Sequence, residues 1–172
     1  KHPTMAVLRL LREARSQNID SSRFVFAGPM MPKIEHLKRL TLADVYLDTL
    51  IYNGHTTGSD FLWAGVPMVT IQGDSFPSRV GASLARAVGM PEMIATTLRE
   101  YEEMAVELGN NKNALEGMKA KLREARLTAP LFDTARWVGS FEDALEKIWE
   151  RHEQGLEPCD VFPKDPGEQH KV

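Results

Sequence analysis

The run from Ala43 to Ile71 restricts the fold more than any other part of the chain. Ala43–Leu47 (ADVYL) and Met68–Ile71 (MVTI) are short and nearly continuous in apolar residues, the pattern of strands that helices cover on both faces. Between them a polar turn bearing glycine leads into a helix over Thr56–Ala64, which stops at Gly65 and is sealed by Pro67. Strand, helix and strand in this order demand a parallel sheet, because parallel strands need a crossover connection. The cluster His55-Thr56-Thr57 then falls at the start of the crossover helix. Helix N-termini carry unpaired backbone N–H groups and a partial positive charge, and both attract phosphate. The chain is a candidate binder of a phosphorylated ligand.

Helical spacing extends the pattern in both directions. Thr4 is placed to cap a helix through Gln17, with Val7, Leu8, Leu11 and Ala14 on one face. Arg23–Ala27 (RFVFA) reads as a short strand, Gly28–Pro32 as a loop, and Lys33–Leu40 as a short helix entered through Pro32. Further helices are expected near Ser78–Val88, Thr97–Leu108, Lys112–Leu127 and Asp133–Glu153. The fold class is therefore α/β, a Rossmann-like parallel sheet with flanking helices and an all-helical C-terminal third. Residues 1–154 form the domain, and 155–172 form a polar tail that is expected to be poorly ordered. Doubly wound domains usually open on a strand and carry more than three, so further strands are expected before Lys1.

Composition narrows the setting. At 172 residues with 42% hydrophobic content the chain can bury one good core, and a net charge of −3 gives no reason to expect nucleic-acid or membrane-surface binding. The single cysteine, Cys159, permits neither a disulfide framework nor a thiolate metal site, which points to a reducing compartment. No apolar run is long enough to span a membrane, and the opening residues interleave Arg and Glu with leucine, unlike a signal peptide. A soluble cytosolic protein is the expectation.

Three segments should converge at the C-terminal ends of the strands, where open α/β sheets place ligands. In the first, Lys33, His36 and Arg39 recur along one helix edge behind the Gly28–Pro32 loop, suiting a nucleobase and ribose or forming an ordinary solvated basic edge. The second is Asn53–Asp60. Its two threonines offer hydroxyls besides amides, its glycines allow close backbone approach, and His55 can donate a further hydrogen bond. Asp60 lies one turn after Thr56 and can accept from sugar hydroxyls; alternatively Thr56 merely caps a helix. The third segment, Gln72–Arg79, either reaches a sugar or a peptide with its polar tip and the Arg79 charge or, the favoured reading, is a connection, with Ser78 or Asp74 capping the next helix. Trp63, Phe132, Trp137, Phe141 and Trp149 sit at core-like positions, and His2, His152 and His170 in exposed or frayed regions. No metal-ligand spacing, nucleophile motif or convincing general base is visible, so no catalytic residue is assigned.

The stretches ADVYLDTLIYNGHTTGSDFLWAGVPMVT, REYEEMAVELG and TAPLFDTARWVGSFEDALEKIWERHEQG closely resemble the C-terminal catalytic half of the protein O-linked N-acetylglucosamine transferases. The similarity runs from about Phe24 to about Pro158. It implies the incomplete C-terminal domain of a GT-B glycosyltransferase, the half that holds UDP-N-acetylglucosamine for inverting transfer to Ser or Thr hydroxyls of proteins. By the same resemblance, backbone around Met31 pairs with uracil, His36 stacks on it and Arg39 reaches a uracil oxygen. Lys33 and Asp60 hold the ribose, and His55, Thr56 and Thr57 bind the diphosphate in place of a metal, so neither cofactor nor metal is implied. The sister protein O-fucosyltransferases, which use GDP-fucose, share this pattern, but His55 with Gly58 and Asp60 places the sequence on the N-acetylglucosamine side. The resemblance also implies that protein acceptors are met by tetratricopeptide repeats and a second Rossmann half outside these residues, that the chain alone is inactive, and that the enzyme is cytoplasmic or nuclear. A truncated, non-catalytic module that dimerises through an exposed sheet edge is the alternative of a different class.

Overall fold

The computed structural model describes residues 4–28 and 31–162, and the chain divides into two compact units, 1–33 and 34–172. His2 and His170, with Pro29 and Met30 of the expected loop, lie outside the described residues.

In the first unit, helix α1 spans Met5–Ser16 and Thr4 caps it, accepting the Val7 amide at 3.4 Å. Val7 and Leu11 are half-buried and Ala14 is buried, while Leu8, expected on the same face, is 45% exposed. A 3-10 turn over Ser21–Arg23 follows, capped by Asp20, whose carboxylate accepts the Ser22 amide at 2.8 Å. That hydrogen bond holds the Asp20 carboxyl below its ordinary range.

The strand expected over Arg23–Ala27 does not form: Arg23 closes the 3-10 turn, and residues 24–28 have no regular structure. Apolar composition confers a capacity for strand, but a strand exists only with a ladder partner. Val25 is 92% exposed, and the rings of Phe24 and Phe26 stack on each other instead, 6.4 Å apart.

The second unit contains helix α2 from Ile34 onward (the helix begins at Lys33 and ends at Leu40) and strand β1, Tyr46–Leu47. Helix α3, Thr56–Trp63, leads to strand β2, Met68–Ile71, and helix α4, Val80–Ala87, to strand β3, Ile94–Ala95. Helices α5, Leu98–Asn110, α6, Lys112–Thr128, and α7, Thr134–Glu153, complete it.

The sheet is parallel in the order β1-β2-β3, with Tyr46 opposite Met68 and Thr70 opposite Ile94. Each crossover carries one helix, as the strand–helix–strand run requires. Strand β1 is shorter than the expected Ala43–Leu47 because the amides of Leu42 and Ala43 donate to Arg39 and Leu40, closing α2 rather than extending the ladder. Strand β3 was not expected; two residues cannot show periodicity, and only pairing with Thr70 and Ile71 makes them a strand.

The core gathers around β2, where Met68, Val69 and Thr70 are fully buried. Leu62, Ala85, Val88, Met90, Met93 and Leu122 pack with Met68 there, bringing α3, α4 and α6 onto the sheet. The larger of these buried side chains contribute roughly 1.5–3 kcal/mol each. The later helices are capped at their starts: Thr97, Asn111 and Asp133 accept the amides of Glu100, Ala114 and Arg136 at 3.1, 3.1 and 2.9 Å.

The aromatic residues correct the expectation of core positions. Trp63, Trp137, Phe141 and Trp149 are 44–62% exposed, and α7 has no buried residue. Amphipathic spacing identifies an apolar face but not what covers it. Of the five aromatics expected in the core, Phe132 alone packs against it, as a half-buried ring edge-on to Trp63 at 5.1 Å. Beyond α7, residues 155–162 lack regular structure, and the Lys147 ammonium donates to the Phe162 carbonyl at 3.1 Å. No helix among the described residues is long and apolar enough to cross a membrane.

Candidate functional site

Strand β1 delivers the chain to Asp48, a carboxylate only 3% exposed. A buried charge is tolerated only when its oxygens are satisfied, and here they are. Oδ1 accepts the amides of Thr49 at 2.9 Å and Gly54 at 2.7 Å and the Tyr46 hydroxyl at 3.2 Å, and Oδ2 accepts the Thr70 hydroxyl at 2.7 Å. The Asp48 carbonyl accepts from the Tyr101 hydroxyl at 2.9 Å. Burial first, and then the Asp48 charge, pushes both tyrosine hydroxyls above their ordinary range.

Asn53, 1% exposed, ties the same turn to the next crossover: its Nδ2 donates to the Thr49 carbonyl at 2.7 Å and its Oδ1 accepts the Gly81 amide at 3.0 Å. Gly81 must lack a side chain, since a Cβ there would collide with Thr70 Oγ1 and Asp48 Oδ2. At Gly54 a Cβ would strike the Tyr46 hydroxyl. Two glycines thus permit backbone to close on the carboxylate.

This frame presents the N-terminus of α3. The Gly58 and Ser59 amides donate to Gly54 and His55 at 3.0 and 3.1 Å, whereas the amides of Thr56 and Thr57 find no acceptor among the described residues. Both threonines are exposed, and the first turn carries no acidic residue to occupy the dipole. His55 makes no side-chain cap. Its ring stacks on Tyr52 at 4.6 Å and meets the edge of Phe76 at 6.0 Å, with Nε2 3.3 Å from the Pro77 carbonyl. A carbonyl only accepts, so Nε2 carries the proton, and Nδ1 donates to a ligand only when the ring is doubly protonated.

Deeper along α3, Asp60 Oδ2 lies 3.4 Å from His36 Nε2, and Arg39 Nη2 donates to His36 Nδ1 at 3.2 Å. Arginine cannot accept, so this geometry selects the His36 tautomer with its proton on Nε2, toward the carboxylate. The structure therefore joins three of the expected residues, His36, Arg39 and Asp60, into one chain, and sets His55, Thr56 and Thr57 together at the helix start. Met31 is half-buried just before α2, and Lys33 is the exposed first residue of that helix.

The third expected segment, Gln72–Arg79, is held by its own hydrogen bonds. Gly73 N–H donates to the Ser78 carbonyl at 2.9 Å, and Ser75 and Ser78 form a reciprocal cap on the 3-10 turn Phe76–Ser78. That cap serves the 3-10 turn alone: α4, which Ser78 or Asp74 was expected to cap, has Arg79 at its N-cap with no side-chain cap, and Asp74 is exposed. The segment nonetheless braces the site, because the Pro77 carbonyl also accepts the Asn53 amide at 2.9 Å. Sequence reasoning missed Asp48, Thr70, Gly81 and Tyr101; an acidic residue ending an apolar strand was the one available signal. No group of three or more metal-holding side chains occurs among the described residues.

Comparison with known proteins gives concordant matches. A model of glycosyl transferase family 41 matches residues 1–141. The probable UDP-N-acetylglucosamine–peptide N-acetylglucosaminyltransferase SEC of Arabidopsis thaliana is 44% identical over 159 residues, 92% of this chain and 16% of that protein. The UDP-N-acetylglucosamine–peptide N-acetylglucosaminyltransferase of Caenorhabditis elegans is 45% identical over 140 residues, 81% of this chain and 12% of its own. Among solved structures, an O-GlcNAc transferase mutant of Thermobaculum terrenum superposes with a TM-score of 0.82 at 31% identity, covering 89% of this chain and 29% of that one. The chain thus spans less than a third of the relatives it matches. The likeness identifies its parallel sheet and helices as part of a GT-B fold.

Proposed function

We propose, from the premise that the chain belongs to glycosyl transferase family 41, that it carries the nucleotide-sugar subsite of an inverting enzyme that moves N-acetylglucosamine from UDP to protein Ser and Thr hydroxyls. The observation that carries this reading is the pair of amides at Thr56 and Thr57 that find no acceptor among the described residues, on a helix start with no acidic residue. Such a terminus suits a diphosphate, whose charge grows as the sugar departs. Donors already aimed at that charge lower the barrier without having to reorganise during the reaction.

In this reading the threonine hydroxyls and a doubly protonated His55 add donors to the two amides. Asp60, oriented by His36, accepts from the ribose, and the His36 ring face and Arg39 serve the uracil. The parts of Met31 and Lys33 rest on the resemblance alone. The names of the Arabidopsis and Caenorhabditis proteins support the donor and the acceptor class. A dimer through a sheet edge draws no support from edge strands of two residues each.

Isothermal titration of the chain with UDP and with GDP tests the proposal. UDP should bind at least tenfold more tightly, and Thr57→Ala or Asp60→Ala should each weaken it about tenfold, or about 1.4 kcal/mol. His152→Ala, on the exposed end of α7, should change it less than twofold. Equal binding of the two nucleotides, or equal effects of all three substitutions, refutes the assignment.

A further inference from the structure

The Asp48 carboxylate makes no contact that the proposed transfer chemistry uses, yet it is the most heavily hydrogen-bonded side chain near the helix start. It accepts from both ends of the loop that precedes α3, through the Thr49 and Gly54 amides, and from the neighbouring strand through Thr70. Gly54 is two residues before Thr56, so the bond to its amide sets where the Thr56 and Thr57 amides point. Two glycines, at positions 54 and 81, leave no room for a Cβ against this cluster. We infer that Asp48 is a positioning residue for the diphosphate: it never touches the ligand, and it holds the turn so that the Thr56 and Thr57 amides converge on one anion.

This rests on the donor reading above and deepens it. A carboxylate beneath an anion site is an electrostatic liability, since like charges repel through the protein. Its value must come from geometry, because an acceptor of this reach takes two amides from opposite ends of one loop and fixes them before the ligand arrives. Charge and geometry can therefore be separated by substitution. Asp48→Asn keeps a carbonyl oxygen for the Thr49 and Gly54 amides and turns its amide toward the Thr70 hydroxyl, which can accept. Asp48→Ala removes the acceptor and leaves the loop untied.

The test is titration of the 172-residue chain with UDP at low temperature, with the fold of each variant checked by circular dichroism and amide exchange read by NMR. Asp48→Asn should bind UDP at least as tightly as the parent chain, within threefold. Asp48→Ala should bind at least tenfold more weakly. Leu122→Ala, in the core on α6, should lower the melting temperature without moving the affinity more than twofold.

In the parent chain the Gly54 amide should exchange much more slowly than those of Thr56 and Thr57, and UDP should slow the latter two. This measurement on the parent decides the matter even if Asp48→Ala does not fold. Parent-like affinity in Asp48→Ala, an affinity loss in Leu122→Ala equal to that in Asp48→Ala, or a Gly54 amide exchanging as fast as that of Thr56 overturns the inference while the donor reading stands. Absence of UDP binding by the parent chain removes both.

Discussion

Replacing Asn53 with alanine removes a side chain that joins the loop after β1 to the start of α4. Asn53 is 1% exposed and makes two hydrogen bonds: Nδ2 donates to the Thr49 carbonyl at 2.7 Å and Oδ1 accepts from the Gly81 amide at 3.0 Å. Each bond contributes about 1 kcal/mol net, but losing it costs more at one end than at the other. Thr49 is exposed, so its carbonyl regains water. Gly81 is buried, and its orphaned N–H costs about 1–3 kcal/mol in place of the simple bond energy.

The sum is about 2–4 kcal/mol of stability, which for a chain of this size lowers the melting temperature on the order of 10 °C. Urea unfolding monitored by circular dichroism measures the loss as a change in midpoint at constant slope. A loss below about 1 kcal/mol would show that the Gly81 amide has found another acceptor or a water. The turn would then not be the fully satisfied polar frame described above.

Gly81→Ala drives a methyl group between Thr70 Oγ1 and Asp48 Oδ2, both in a packed interior, and should cost about 1–3 kcal/mol by the same urea measurement. Tyr46 and Tyr101 have hydroxyls pushed above their ordinary value of 10.0 by burial and by Asp48. The unfolded chain therefore loses these protons first, so the stability they contribute is intact below pH 10.0 and declines above it. Tyr46→Phe should flatten that alkaline decline in a series of melting curves; an unchanged slope counts against the placement of Tyr46 beside Asp48. Glu103→Ala breaks the ion pair with Arg99 at 2.8 Å, whose partners are 63% and 87% exposed, and should shift the urea midpoint by the equivalent of less than about 0.5 kcal/mol.

The elements legible in the sequence are those whose signals are local. Thr4 caps the helix it announces, and Thr97, Asn111 and Asp133 cap helices placed from spacing alone, because a cap is a hydrogen bond three residues long. The strand–turn–helix–strand run around His55 was equally plain, since apolar runs, glycine and proline each constrain only their own backbone. Arg23–Ala27 failed as a strand, and Ile94–Ala95 went unseen, for one shared reason. Pairing is non-local: a residue becomes a strand through its neighbour across the ladder, as Ile94 does through Thr70. The exposed aromatics of α7 make the same point for packing, for periodicity marks a face without naming its cover.

Within the site, sequence alone determined that His55, Thr56 and Thr57 would stand at a helix start on a parallel sheet, because adjacency in the chain guarantees it. Only tertiary structure decided that the Thr56 and Thr57 amides find no acceptor among the described residues, that His55 turns Nε2 to the Pro77 carbonyl, and that Asp48 draws together residues from position 46 to position 70. The physical reason is that local signals fix one backbone segment at a time, whereas a buried carboxylate takes its partners from wherever the fold brings donors within reach.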